Sequence, residues 1–216
     1  YQMKVPEQVR DIAGTSVLSN LREGVRYVWS DPVILAVMTT AMVPRLFAMP
    51  YQALLPVFQK DVLEVGPGGL GLMMAAPGLG AMLAMLGVAH FASRVSRPGV
   101  LMIAGLVLQG AFLILFALMQ TLPLSLVMLV IVGGFQVVFM SVSNMVLHMT
   151  VPDRLRGRVM SIYMLDRGIT PAGALLAGVS AHFIGAPHTT VAMGGIVLTL
   201  AAVVTVFMPS LRKVRA

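Results

Sequence analysis

Three ionisable residues stand inside long apolar runs of this chain: Arg45 in one run, and the adjacent pair Asp166 and Arg167 in another. In a hydrocarbon layer each such charge costs at least about 2.5–3.5 kcal/mol, so it faces a bundle interior or a water-filled path rather than lipid. A carboxylate at that depth can take up and release a proton as its surroundings change, and a cation left in excess can hold an anionic ligand. Arg45 lies about 18 Å from the start of its run and Asp166 about 12 Å beyond Arg158, at about 1.5 Å per residue in a core of about 30 Å. Their depths overlap within side-chain reach. Asp166 and Arg167 point about 100° apart on a helix and are poorly placed to pair with each other. Arg45 is then the natural partner for Asp166. Two readings follow. Either the pair neutralises itself and fixes the packing, or Asp166 exchanges a proton while a remaining arginine binds an anion.

The elements that carry these residues must be membrane helices. The chain is 58% hydrophobic and 11% charged, and its mean hydropathy is +0.91. With runs of about 20 apolar residues, that composition describes an all-α, multi-pass membrane protein. Six apolar segments can be marked, roughly 33–58, 68–91, 99–119, 122–148, 159–185 and 188–208. They are called the first to sixth spans below. There are no cysteines, so disulfides and thiolate metal sites are excluded. The chain opens at Tyr1 and shows no secretory leader, so a fragment or one half of a longer chain is expected.

The net charge of +7 is explained by where it falls. With the N-terminus in the cytoplasm, the inner segments hold Lys4, Arg10, Arg22 and Arg26, then Arg94 and Arg97, then Arg154, Arg156 and Arg158, then Arg212, Lys213 and Arg215. The outer connections hold Lys60 beside Asp61 and Glu64. This asymmetry is the positive-inside rule and puts both ends of the segment in the cytoplasm of a cell-membrane protein. The basic residues therefore set orientation and meet anionic headgroups, and no nucleic-acid partner is expected.

Residues 1–31 read as a cytoplasmic linker, 32–208 as the six-helix bundle and 209–216 as a basic cytoplasmic tail. In the linker, Leu18, Leu21, Val25 and Val28 recur at helical spacing with Arg22, Glu23 and Arg26 between them and Trp29 at the end. That pattern predicts a short amphipathic helix on the membrane surface. Ser30 or Asp31 can cap the first span, with Pro32 in its first turn.

Polar residues are unevenly shared among the spans. The first carries Arg45 and Gln52, seven residues apart and expected on one face, and is interrupted by Pro44, Pro50 and Pro56. The fourth carries Gln136, Ser143 and Asn144, with Met140 and His148 on or beside the same face. The fifth holds Tyr163, Asp166, Arg167 and Thr170, then Gly173, Ala177, Ala181 and Gly185 at four-residue intervals. The second repeats that small-residue chemistry around Pro77, which suits close and movable packing. The third and sixth offer little beyond Gln109, Thr199 and Thr205 and are expected to face lipid. The period of three spans is what a 3+3 inverted repeat would give, and such repeats are a mark of transporters.

The connection between the fourth and fifth spans reads Val151, Pro152, Asp153, Arg154, Leu155, Arg156, Gly157, Arg158, Val159, followed by Pro171, Ala172 and Gly173. Together with Arg22, Glu23, Gly24, Tyr27, Asp31 and Pro32, it resembles the second half of the major facilitator superfamily, in the drug and siderophore exporter branch. The resemblance implies that the chain is spans seven to twelve of a twelve-span secondary transporter. It also implies a partner N-terminal six-helix half, a small organic substrate and a proton as coupling ion. Arg94, Arg97, Asp153, Arg156, Gly157 and Arg158 would belong to its gating loops. Between the second and third spans Ala89, Ser93 and Arg94 stand where that family carries a Gly and Asp-Arg gating motif. A charge-paired gate is therefore in doubt there, and Arg94 and Arg97 read as topology determinants.

No G-x-x-x-x-G-K-[ST], H-E-x-x-H or G-x-S-x-G motif is present, so no catalytic chemistry and no cofactor are implied. The 18 methionines are scattered and read as adaptable packing rather than a soft-metal path. The rival reading is a six-span binding or scaffold protein without transport. Both share one topology, which cysteine labelling checks. Cysteines at positions 94, 156 and 212 should react only from the cytoplasm and one at position 64 only from outside. Labelling of positions 64 and 156 from the same side would remove the six-span arrangement.

Overall fold

The structure, a computed structural model, describes residues 17–91 and 97–207. Arg94, the tail 209–216 and the linker before Val17 lie outside the described residues, as do the side chains of Asp166 and Arg167. All the regular structure among the described residues is helical.

A helix runs over Val17–Ser30, where the sequence predicts an amphipathic one. Trp29 is 73% exposed at its end while Val28 turns inward. The helix packs against the start of the fifth span, and Glu23 there is ion-paired with Arg158. Asp31 then caps the first span: its carboxylate accepts from the amides of Val33 at 2.8 Å and Ile34 at 3.1 Å. Two of the four orphan donors at that helix start are thereby satisfied, and Pro32 occupies a position where no donor is needed.

The first span crosses as Pro32–Val62, but not as one regular helix. Pro44–Ala48 and Phe58–Val62 are π-helical turns, and Met49 and Pro50 form a break between them. The Met49 amide donates to the Pro44 carbonyl, five residues back, at 2.6 Å. Pro50 has no amide to return to Leu46, so the ladder must widen or break at this point.

The second, third and fourth spans are single helices, Pro67–Phe91, Pro98–Ala117 and Leu122–Thr150, and the sixth is Ala186–Phe207. The fifth departs from the expected continuous run over 159–185. It begins earlier, as Asp153–Leu165, tightens into a 3₁₀ turn at Asp166–Ile169, and resumes as Thr170–Ile184. The early start places Asp153, Arg156, Gly157 and Arg158 in the first two turns of a helix instead of in a loop. Leu155 and Arg156 donate to the Pro152 carbonyl, and Asp153 favours the positive end of the new helix. The 3₁₀ turn follows from Pro171, whose ring excludes a normal turn against residue 167. Five helices are thus long and apolar enough to cross a membrane, and a shorter apolar helix completes the sixth crossing.

Packing follows the glycines. The second span lies on the fourth so closely that a Cβ on Gly80 would overlap the Val130 carbonyl, and one on Gly133 the backbone of Pro77. The third span packs on the fourth and the sixth, while the first packs on the fifth and the sixth. Exchanging the first three spans for the last three turns second-on-fourth into fifth-on-first and third-on-fourth into sixth-on-first. It returns third-on-sixth to itself. All five contacts are present, and three crossings separate equivalent spans, so they run in opposite directions as an inverted repeat requires.

The third span presents two sides: Gln109 is fully enclosed where it packs on the fourth and sixth spans, while Val100, Val107, Leu108 and Leu115 stay exposed. The most exposed apolar surface belongs to the second span, at Met74, Leu79, Met82 and Leu86, and to the late fifth, at Leu175 and Phe183. The reason is geometric. The small residues of the second and fifth spans are spent on the fourth and first, which leaves their large side chains outside.

Glycine substitution separates close packing from helix propensity. Gly80→Ala and Gly133→Ala overpack a backbone contact and should destabilise the folded chain by about 1–3 kcal/mol. Gly87, with nothing near its missing Cβ, should gain about 0.5–1 kcal/mol as Ala. Thermal unfolding in detergent reads the difference, and equal melting temperatures for the three variants would refute the packing account.

Candidate functional site

Arg45 occupies the π-turn of the first span and is 5% exposed, with its guanidinium carbon 5.9 Å from the centre of the Tyr163 ring. That geometry is a cation–π contact, which gains strength where water is excluded. Around it the fourth span supplies Gln136, Phe139 and Met140, and the first span Ala41, Pro44 and Met49. The enclosed space is about 10 Å³, roughly one water's requirement. In this arrangement the residues grip a charge and leave no room for an organic molecule.

The π-turn that carries Arg45 packs on the 3₁₀ turn that carries Asp166 and Arg167. Just beyond, Gly173 meets the first span at its weakest point. A Cβ there would lie 2.8 Å from the Leu46 carbonyl and 2.7 Å from the Pro50 ring. Leu46 is the residue whose carbonyl loses its usual donor at Pro50. Two proline-disturbed turns on neighbouring spans therefore face each other and bring the three membrane-depth charges onto adjoining backbone.

The remaining expected site residues divide. Gln136 is buried in the Arg45 crevice with Met140. Ser143 is buried too, but its hydroxyl is committed to the Phe139 carbonyl at 2.7 Å. Asn144 is partly buried, and its Oδ1 is enclosed without a partner among the described residues. Gln52 does not share the Arg45 face. It is exposed and lines a separate crevice with Leu55, Met74 and Pro77. Seven-residue spacing places two residues on one face only in a regular helix, and the break at Met49–Pro50 cancels that register. His148 is exposed, and its carbonyl accepts from Arg156 at 3.3 Å. Arg156 also pairs with Asp153 at 2.7 Å, on a surface where such a bridge contributes under about 1 kcal/mol. Arg97 is exposed just before the third span, while Arg94 lies outside the described residues.

Two buried residues, Tyr163 in the Arg45 crevice and Gln109 in the third span, were not singled out for the interior by sequence. Tyr163 stands one turn before Asp166 and Arg167, and that interval was the available signal. Gln109 is buried with both amide atoms unpartnered among the described residues. A lone glutamine in an apolar span was its signal. Among the described residues no cluster of His, Cys, Asp or Glu could hold a metal.

The profile of the transmembrane secretion effector family matches residues 2–216. The multidrug efflux pump Tap of Mycolicibacterium fortuitum is 32% identical over 206 residues, covering 94% of this chain and 49% of that protein. Tap of Mycobacterium tuberculosis is 28% identical over 199 residues, 91% of this chain and 46% of that protein. The staphyloferrin A transporter of Staphylococcus aureus is 28% identical over 151 residues, 67% of this chain and 36% of that protein. The chain spans about half the length of the curated relatives it matches. No solved structure matches it significantly.

Proposed function

We infer that this chain, which belongs to the transmembrane secretion effector family of the major facilitator superfamily, forms the C-terminal half of a proton-coupled exporter of small organic molecules. The observation that carries the reading is the packing of the Arg45 π-turn on the Asp166–Ile169 turn. Regular helices hold a fixed geometry, whereas π and 3₁₀ turns are where a membrane helix can change register, and both are common at functional points. Charges held on two such turns can be re-paired as the spans rock.

The relatives bear on direction and cargo. Two are multidrug efflux pumps by name and one is a staphyloferrin A transporter. An N-terminal six-helix half, in the same chain or a separate one, would cover the exposed apolar faces of the second and late fifth spans. The cargo would pass between the halves, with both ends of this segment in the cytoplasm. The Glu23–Arg158 ion pair ties the linker to the start of the fifth span and would transmit motion between the halves. A scaffold role would need none of these disturbed turns.

Asp166 supplies the coupling step. Desolvation raises a carboxyl pKa and a neighbouring arginine lowers it, so a change in spacing between the two turns shifts the proton affinity. In the complete transporter, Asp166→Asn should leave insertion and substrate binding intact and abolish accumulation against a gradient driven by proton-motive force. Uphill transport by that variant at near wild-type rate would remove Asp166 from the coupling role.

Arg45 with Arg167 against Asp166 leaves one positive charge among the three residues at membrane depth in the sequence, which favours acidic over cationic cargo. Arg45→Gln should lower export of an anionic substrate by roughly tenfold, about 1.4 kcal/mol, and of a neutral one much less. Equal loss for both, with less protein in the membrane, would make Arg45 a packing residue only.

A further inference from the structure

A second cavity opens between the first, fifth and sixth spans, and its volume is about 220 Å³. Leu176, Ile184 and Ile196 form an exposed rim, while Ala177, Met193 and Thr189 form a buried floor. None of the described residues that line it is charged, and it shares none with the Arg45 crevice.

Thr189 is the unusual member. It is 2% exposed, and its hydroxyl has no partner among the described residues. Several other helical threonines return the hydroxyl to the carbonyl four residues back. Thr190 does so toward Ala186 at 2.9 Å, and Thr40, Thr199 and Thr205 behave alike. The Thr189 amide follows the helix, donating to Gly185 at 3.1 Å. Its hydroxyl does not, and it is the one enclosed, unsatisfied polar group on the cavity floor. An enclosed hydroxyl left unpaired is a standing desolvation cost that a ligand atom can relieve.

We propose that this cavity binds a small neutral aromatic molecule bearing one hydrogen-bonding substituent, which pairs with Thr189 Oγ1. Size selects the ring. An apolar cavity of about 150 Å³ takes benzene, so the larger space here suits a fused pair of rings or a substituted single one. The absence of lining charge selects a neutral molecule, and the enclosed, unpaired Thr189 hydroxyl selects one polar substituent on the floor side, Ser180 being the other hydroxyl residue of the lining. A lipid tail would satisfy the walls and leave Thr189 unpaired. The site stands on its own geometry and does not depend on the transport reading. Its wall includes Leu46 and Phe47, which belong to the π-turn of Arg45, so occupancy would restrain that turn.

The test is equilibrium binding of 1-naphthol to the full chain in nanodiscs, with naphthalene as the probe lacking the hydroxyl. Saturable 1-naphthol binding is expected. Thr189→Val keeps the shape, removes Oγ1 and should weaken 1-naphthol binding roughly two- to tenfold, with naphthalene unchanged. Thr189→Ser should restore it. Ala192→Phe acts at an exposed lining position, where an added ring can block the mouth without entering the core, and should abolish binding of both probes. Thr189→Val removes an unpaired group and should melt no lower than wild type, so a lost fold would not be mistaken for lost contact. The proposal is overturned if wild type shows no saturable binding, if Ala192→Phe leaves 1-naphthol binding unchanged, or if Thr189→Val affects both probes equally or neither.

Discussion

A proline inside a membrane helix frees a backbone carbonyl where no water can satisfy it, and much of this architecture is arranged around that constraint. Pro50 deprives Leu46 of its usual donor, and Pro171 does the same one span away for residue 167. The chain responds by widening the ladder into a π-turn on one side and tightening it into a 3₁₀ turn on the other. Irregular backbone at membrane depth is tolerable only where protein surrounds it or a cavity runs beside it. Here the two irregular turns shield each other. Gly173 makes that approach possible, because any side chain would strike the Leu46 carbonyl or the Pro50 ring.

Much of this was legible in sequence, for identifiable reasons. Hydropathy depends on composition alone, so the six apolar segments and the short connections between them could be read directly, five as long apolar helices and one as a shorter helix. The Val17–Ser30 helix and the Asp31 cap depend on neighbours within one turn, and these too were readable. The register after Pro50 was not. Spacing arguments assume 3.6 residues per turn, and one π-turn with a break rotates everything beyond it, which is how Gln52 left the face of Arg45. The division of the fifth crossing was half visible, since Pro171 was noted but its effect on the preceding turn was not. Burial of Gln109 depends on which helix the third span meets, and that is settled by glycine-to-backbone fits spread across the whole chain.

The repeat pattern gives those fits a logic. The second-on-fourth contact relies on Gly80, Pro77 and Gly133, and its equivalent, fifth-on-first, relies on Gly173 against Pro50. Each is a proline-bearing helix pressed on a glycine of its partner, yet the chemistry differs. Against the fourth span the proline sits on the outer helix and the contact is carried through unbroken helices. Against the first span prolines sit on both sides and both helices give way. One contact of the symmetric pair is a rigid seam, and the other carries the charges.

That difference bears on how a charge can be kept in the membrane and still be of use. Arg45 is held by a ring face at 5.9 Å and by close side chains that leave about one water's worth of space. Such a grip lowers the cost of burial but offers nothing to an organic ligand, so a binding function requires the grip to open. Opening a regular helix would cost hydrogen bonds that lipid cannot replace. A π-turn beside a proline has already given up that regularity, and moving it sacrifices less. The exchange of backbone order for prolines that makes the first span look defective would also let a buried arginine be uncovered without unfolding its helix.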